Sequence, residues 1–265
     1  MKNIPNTFPK ELEEALQRKK QVLNLPENYT HHQVEDVFHQ RATGRYLADI
    51  VFGASDGLVT TFAVVAGAAG ADLAATVIII IGAANLLGDG LSMGLGNYLG
   101  KRSEGEYEKK QHEKENWEID NFPEIEQHEI KEIFAHWGFQ GQALDNAVAT
   151  VCSNREIWIE IMMKEELGIF KDDDYHPAKH GLATFIAFAL AGFVPLLPFL
   201  FGYAGMFAFT ASMVLTGLTM FFTGAFRSKI STITFWKGGL EMLAVGAIAS
   251  GSAYLIGVVL SRILE

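Results

Sequence analysis

The sequence predicts an all-α polytopic membrane protein: five transmembrane helices with a cytoplasmic helical insert between the second and third. Three observations predict it. Of 265 residues, 49% are hydrophobic and only 20% charged, and the mean hydropathy is +0.16. Five stretches, near 47–70, 74–99, 181–203, 205–226 and 239–261, are mostly apolar. Each is as long as the roughly 20 residues that a helix needs to cross about 30 Å of hydrocarbon. The formal charge of −10 is also localised. Residues 1–45 carry 7 Lys/Arg and 6 Asp/Glu, residues 46–99 none and 4, residues 100–179 10 and 19, and residues 180–265 4 and 2. The chain thus reads as an N-terminal arm (1–45), a transmembrane hairpin (46–99), an acidic helical domain (100–179) and three further spans (180–265). Acidity of this kind argues against nucleic acid as a partner. Cys152, the single cysteine, excludes a disulfide framework.

The arm is charged and lacks a short apolar core followed by small residues, so no cleavable signal peptide is expected. The first two spans meet at Gly70-Ala71-Asp72-Leu73 and the third and fourth at Gly202-Tyr203-Ala204-Gly205, two tight turns. Positively charged loops stay cytoplasmic. Lys and Arg fill the arm, the insert and the fourth-to-fifth loop (Arg227, Lys229, Lys237) and are absent from both tight turns. The arm and the insert therefore face the cytoplasm, and the C-terminus faces the other side.

Asp56 in the first span and Asp89 in the second lie about ten residues from the cytoplasmic ends, roughly 15 Å deep at 1.5 Å per residue. Met93 follows Asp89 by one helical turn. No Lys or Arg occurs in 46–99 to neutralise these carboxylates, so a mobile cation or a proton is the natural counter-charge. The alternative is protonated Asp side chains bonded to backbone or to Ser55 and Ser92. Glu241, beside Lys237, reads equally as a relay carboxylate or an interfacial residue. Gly53/Gly57, Gly90/Gly94 and Gly96/Gly100 repeat at a spacing that lets helices approach, and they speak for packing or dimerisation. Pro195 and Pro198 predict a kink in the third span. Met206, Met213 and Met220 recur every seven residues and read as packing ahead of a thioether ladder.

In the insert, Lys101 to Ile119 continues the second span as helix, Pro123 restarts a new one, and further helices are expected over 141–152 and about 154–167 with Gly168 as a stop. Two Glu-x-x-Glu pairs, Glu115/Glu118 and Glu126/Glu129, each put two carboxylates on one helix face. Met162, Met163 and Glu166 follow. Carboxylates alone suit Mg²⁺, Ca²⁺ or Mn²⁺, and added thioethers shift the preference to a softer transition metal. A soluble di-iron oxidase is not indicated, because Lys109, Ile125 and Ile133 stand where Glu-x-x-His motifs at His112, His128 and His136 need Glu. His31, Glu35 and His39 in the arm, and Asp172-Asp173-Asp174 with His176, are weaker cation collectors.

Together these residues make the chain resemble the vacuolar iron transporter family over roughly 45–262. The resemblance rests on Phe52-Gly53-Ala54-Ser55-Asp56-Gly57-Leu58-Val59-Thr60 and on Ala84-Asn85-Leu86-Leu87-Gly88-Asp89-Gly90-Leu91-Ser92-Met93-Gly94. It rests also on the paired glutamates and on Trp158 to Gly168 with its Met-Met…Glu segment. The resemblance implies five spans, a cytoplasmic metal-binding domain after the second, a homodimer with the pathway at its interface, and exchange of Fe²⁺ for protons. By motif it implies Asp56 and Met93 as translocation ligands, and Glu115, Glu118, Glu126, Glu129, Met162, Met163 and Glu166 as cytoplasmic metal ligands. A further acidic ligand near the end of the family's domain has no counterpart, since Ala178 and Lys179 occupy that stretch, and the arm is too short for a ferritin-like domain.

The expectation is therefore a proton-coupled exporter of Fe²⁺, with Mn²⁺, Co²⁺ and Zn²⁺ as further cargo. It is not an enzyme and needs no catalytic cofactor; it sits in a bacterial inner or vacuolar membrane. Asp89 and Glu241 are candidate relays. Its rivals are a membrane-anchored metal sensor or storage scaffold, and a transporter of another solute that uses the insert for docking.

Overall fold

The computed structural model describes residues 46–170, 175–229 and 233–264. Among the described residues the regular structure is all helical: α1 (Leu47–Gly70), α2 (Ala75–Asn121), α3 (Pro123–His136), α4 (Gly141–Cys152), α5 (Arg155–Glu165), α6 (Pro177–Gly192), α7 (Leu197–Leu200), α8 (Gly205–Phe226) and α9 (Phe235–Leu264), with short 3₁₀ turns at Val194–Leu196 and Arg227–Lys229. Five helical segments, Leu47–Gly70, Ala75–Asn121, Pro177–Leu200, Gly205–Phe226 and Phe235–Leu264, are long and apolar enough to cross a membrane. Large apolar side chains stand exposed along them, among them Phe52, Ile80, Leu190, Phe222 and Ile248. In water that surface would be costly; against lipid it is the expected solvent-facing side. The arm and its His31, Glu35 and His39, and Asp172-Asp173-Asp174, lie outside the described residues.

The chain divides into two compact units. One holds α1, α2 as far as Gly90 and the chain from Ala183 onward; the other is Leu91–Leu182.

In the membrane unit, close helix approach is set by glycine. A side chain at Gly53 would run into the backbone carbonyl of Thr184, and one at Gly57 into that of Phe188, so α6 packs directly on the backbone of α1. Gly257 of α9 meets the carbonyl of Gly67 in the same way. Between these seams Leu58, Phe62, Val65, Ile78, Leu196, Phe199, Met220 and Met242 form the core. At the expected kink in the third span the helix tightens: α6 stops at Gly192, and Pro195 and Pro198 carry the chain through a 3₁₀ turn into α7. Proline supplies no N–H to the preceding turn. The hydroxyl of Ser212 on α8 donates to the Pro195 carbonyl at 2.6 Å, which satisfies a group that the break exposes.

Chain reversals share one backbone device. After α1, Asp72 adopts a left-handed φ of 53°, and its N–H and that of Leu73 donate back to Ala69 and Ala68. That is the pairing of a Schellman turn, with Asp filling the position usually given to Gly. Gly138 does the same after α3 (φ 96°), where Phe139 donates to Phe134 and the two rings pack 5.7 Å apart. Gly202 repeats it after α7, with Tyr203 donating to Pro198.

In the insert, Pro123 opens α3. Asn154 caps α5 by accepting from the N–H of Ile157 at 3.3 Å. Apolar faces of α3, α4 and α5 meet α2 in a second core of Ile119, Ile130, Phe134, Leu144, Val148 and Trp158. Arg155 fastens α5 to α2, with Nε donating to Asn116 Oδ1, Nη2 to the Asn116 carbonyl and Nη1 to Asp120 Oδ1, each at 2.6 Å.

Candidate metal centre and transport pathway

Glu115 and Glu118 sit one turn apart on α2, Glu126 and Glu129 one turn apart on α3, and Glu166 just past α5. Side chains three positions apart share a helix face, so each pair presents two carboxylates in one direction. The structure brings all five together. The charges of Glu118, Glu129 and Glu166 bear on Glu115, and those of Glu129, Glu115, Glu118 and Glu166 bear on Glu126.

The pairs are not equivalent. Glu115 is 1% exposed and Glu126 5%, whereas Glu118 and Glu129 are half-buried and Glu166 is exposed. Burial first, and then the neighbouring carboxylates, push both Glu115 and Glu126 up to about 7 from the ordinary value of 4.5. Glu129 is raised for the same two reasons, in the same order. An Oε2 of Glu115 and an Oε2 of Glu126 are buried with no hydrogen-bond partner. A buried acceptor left unpaired is expensive, and a cation shared between these oxygens would remove the penalty. Among the described residues, no three Asp, Glu, His or Cys side chains are already drawn in to ligating distance of one ion. The carboxylates thus form a cluster rather than a closed coordination sphere.

Met162 and Met163 are buried in the insert core, at 0% and 8% exposure. Glu166 lies one turn beyond Met162, and its N–H donates to the Met162 carbonyl at 3.0 Å. A residue that the motif argument passed over is Lys114, whose Nζ lies 3.0 Å from Glu118 Oε2. Its signal was present in the spacing, since Lys and Glu four apart on a helix are neighbours.

In the membrane unit, Asp56 on α1 and Asp89 on α2 are half-buried, and the charge of one is felt by the other. Their glycine neighbours set this level: Gly57 abuts the Phe188 carbonyl, and a side chain at Gly90 would lie 3.1 Å from the Phe188 ring and 3.3 Å from that of Phe185. The hydroxyl of Thr60 donates to the Asp56 carbonyl at 2.8 Å. Asn85, one turn before Asp89 on α2, is a second residue that the motif argument did not single out; its Nδ2 is buried without a partner. Met93 is half-buried one turn after Asp89. Glu241 is exposed at the start of α9, 3.9 Å from Arg227 and 4.0 Å from Lys237. Of the three methionines on α8, Met220 alone is buried, with its sulfur against Gly246, while Met206 and Met213 are exposed.

Comparison with known proteins gives a consistent picture. The chain matches the VIT family over residues 47–258. It is 32% identical over 219 residues to vacuolar iron transporter 1 of Arabidopsis thaliana, covering 83% of this chain and 88% of that protein. It is 33% identical over 236 residues to the vacuolar iron transporter of Toxoplasma gondii, covering 85% and 78%. With that of Plasmodium falciparum it shares 33% over 225 residues, 82% of each chain. The matched segment takes in α1, all three insert helices and most of α9, and on that extent the chain belongs to the VIT family.

Proposed function

We propose that this protein transports Fe²⁺, together with Mn²⁺ and other divalent transition metals, out of the cytoplasm in exchange for protons. Its relatives carry the name of vacuolar iron transporters, which supports metal ion transport as the general activity. The observation that carries the assignment is the pair of nearly buried carboxylates, Glu115 and Glu126, each with an unpartnered oxygen and each within the field of the other glutamates. Solvated acidic helices hold their carboxylates out in water; these hold two of them in.

In this reading the insert collects cytoplasmic metal on Glu115, Glu118, Glu126, Glu129 and Glu166, with Met162 and Met163 as thioether donors that favour a transition metal over Ca²⁺. Asp56 and Met93 ligate the ion in transit, and Asp89 relays protons or metal. Asp56 and Asp89 have no Lys or Arg in 46–99, so only cargo or protons balance them. Protonation on the acidic side competes with the metal and discharges it. The protein acts as a homodimer; the open face of α2 at Gly96 and Gly100, where a side chain would meet nothing within 4 Å, offers a second copy a smooth contact.

The test is reconstitution in liposomes with a pH gradient. Fe²⁺ uptake with counter-flow of protons is expected, and Asp56→Ala is expected to abolish it. Stoichiometric metal binding without transport by the wild-type protein would leave a metal sensor or storage scaffold in its place.

A further inference from the structure

We propose that Lys114 is a tethered counter-cation of the glutamate cluster, displaced when a divalent metal enters, and that it sets how loosely the insert holds its cargo. The inference rests on the reading of the insert as a metal-capture domain.

Several basic residues on α2 pair with acids of the same helix. Lys101–Glu104, Arg102–Glu106 and Lys109–Glu113 join exposed groups whose carboxylates lie outside the cluster. Pairs of that kind contribute little, because water screens them well. Lys114 differs in its partner. Its Nζ is 3.0 Å from Oε2 of Glu118, a carboxylate only 24% exposed, and Glu115 and Glu166 also act on it. The ammonium in turn acts on Glu129 of α3. One positive charge therefore sits in the field of four acids drawn from α2, α3 and the end of α5.

The chemistry of lysine suits an exchangeable occupant. An ammonium is a compact point charge on a flexible stem, without the fixed two-pronged geometry by which arginine locks a carboxylate. The Lys114 side chain is 55% exposed, so it has water to swing into. A dication that takes Glu118 as ligand needs the lone pairs that Lys114 now holds, and a unit charge left nearby repels an ion of charge two. Both effects weaken binding. Five glutamates without such a brake would grip a divalent ion tightly, which serves storage and defeats hand-over to a pathway.

The experiment uses the full-length protein in detergent at pH 8, titrated with Mn²⁺, with free Mn²⁺ followed by electron paramagnetic resonance. Lys114→Gln is expected to bind about tenfold more tightly than wild type, the size of a one-to-two charge repulsion about 6 Å apart under water-like screening, as suits a side chain 55% exposed. Lys114→Arg should stay near or below wild-type affinity. Lys109→Gln, which removes the same charge from the same helix outside the cluster, should change affinity less than about twofold. Unchanged or weaker binding by Lys114→Gln, in a protein whose binding is weakened about a hundredfold by Glu115→Gln with Glu126→Gln, overturns the counter-cation and leaves the capture domain standing. Wild-type binding that survives the double glutamine variant overturns the capture reading, and this inference with it.

Discussion

The insert and the membrane unit both bring carboxylates of different helices near one another, and they differ in what stands beside them. In the insert Glu115 and Glu126 are nearly buried among three more acids, yet an ammonium lies within the cluster and water lies at its edge. In the membrane unit the charge of Asp89 bears on Asp56, in a segment, 46–99, that contains no basic residue. The first arrangement can relax by taking up a proton or leaning on Lys114. The second has no Lys or Arg in its own segment, so under the proposed function its charge is balanced by cargo or protons. Under the proposed function, the placement of lysine and arginine thus separates a site that equilibrates from a site that couples.

The largest expected effect tests that division directly. Asp56→Asn should reduce transport by more than about a hundredfold, the loss of one charged interaction in a poorly screened site. Mn²⁺ binding by the insert should survive that change. Glu115→Gln combined with Glu126→Gln should do the converse: binding weakens by about a hundredfold, while transport persists when metal is saturating. Liposome flux and Mn²⁺ titration on the same two proteins decide it. Parallel losses in both assays would merge the two regions into one function.

A second effect follows from the raised glutamates. Glu115 and Glu126 bind protons in the fold up to about pH 7, whereas in the unfolded chain they release them near 4.5. Their contribution to stability is therefore fully present below about pH 4.5 and is lost as pH rises through 7. A displacement of that size is worth roughly 3 kcal/mol for one group, and less than twice that for two that share a field. Without metal, the insert should melt higher at pH 5.5 than at pH 8, followed by tryptophan fluorescence, since Trp117, Trp137 and Trp158 all lie there. Added Mn²⁺ should raise the melting temperature most at pH 8, where the ligands are ionised. A metal-free insert more stable at pH 8 would mean that these carboxylates are not strained.

Much of this was legible in the chain itself, for reasons that differ by element. The spans follow from hydropathy, and the ends of α3, α4 and α5 from Pro123, Gly138, Asn154 and Gly168, because caps and turns are local events. The Glu-x-x-Glu spacing announced pairs but not which member is buried: Glu115 lies inside and Glu118 at the edge, although both share a helix face. That depends on how α3 and α5 lie against α2, which no local pattern encodes. The same holds for Met162, which is at once a proposed ligand and part of the insert core. Three glycine pairs looked alike in sequence, and packing separated them.

Those glycines give the smallest effect and the finest version of the comparison. Gly57, in the membrane unit, lies against the backbone carbonyl of Phe188, which cannot turn aside as a side chain would. Gly57→Ala must therefore push α1 from α6, at about 1–3 kcal/mol for overpacking. Gly96, on the part of α2 that belongs to the other unit, meets nothing within 4 Å. Within one chain Gly96→Ala should be neutral, or stabilising by up to about 1 kcal/mol through helix propensity. Thermal melts of the two variants should thus move in different directions. If a second copy closes on that open face, a bulky residue there disturbs the assembly and not the fold. Gly96→Leu is then expected to keep its helix content and shift toward monomer in light scattering. A dimer that persists would place the contact between copies on another helix, and would leave the open glycines of α2 facing lipid.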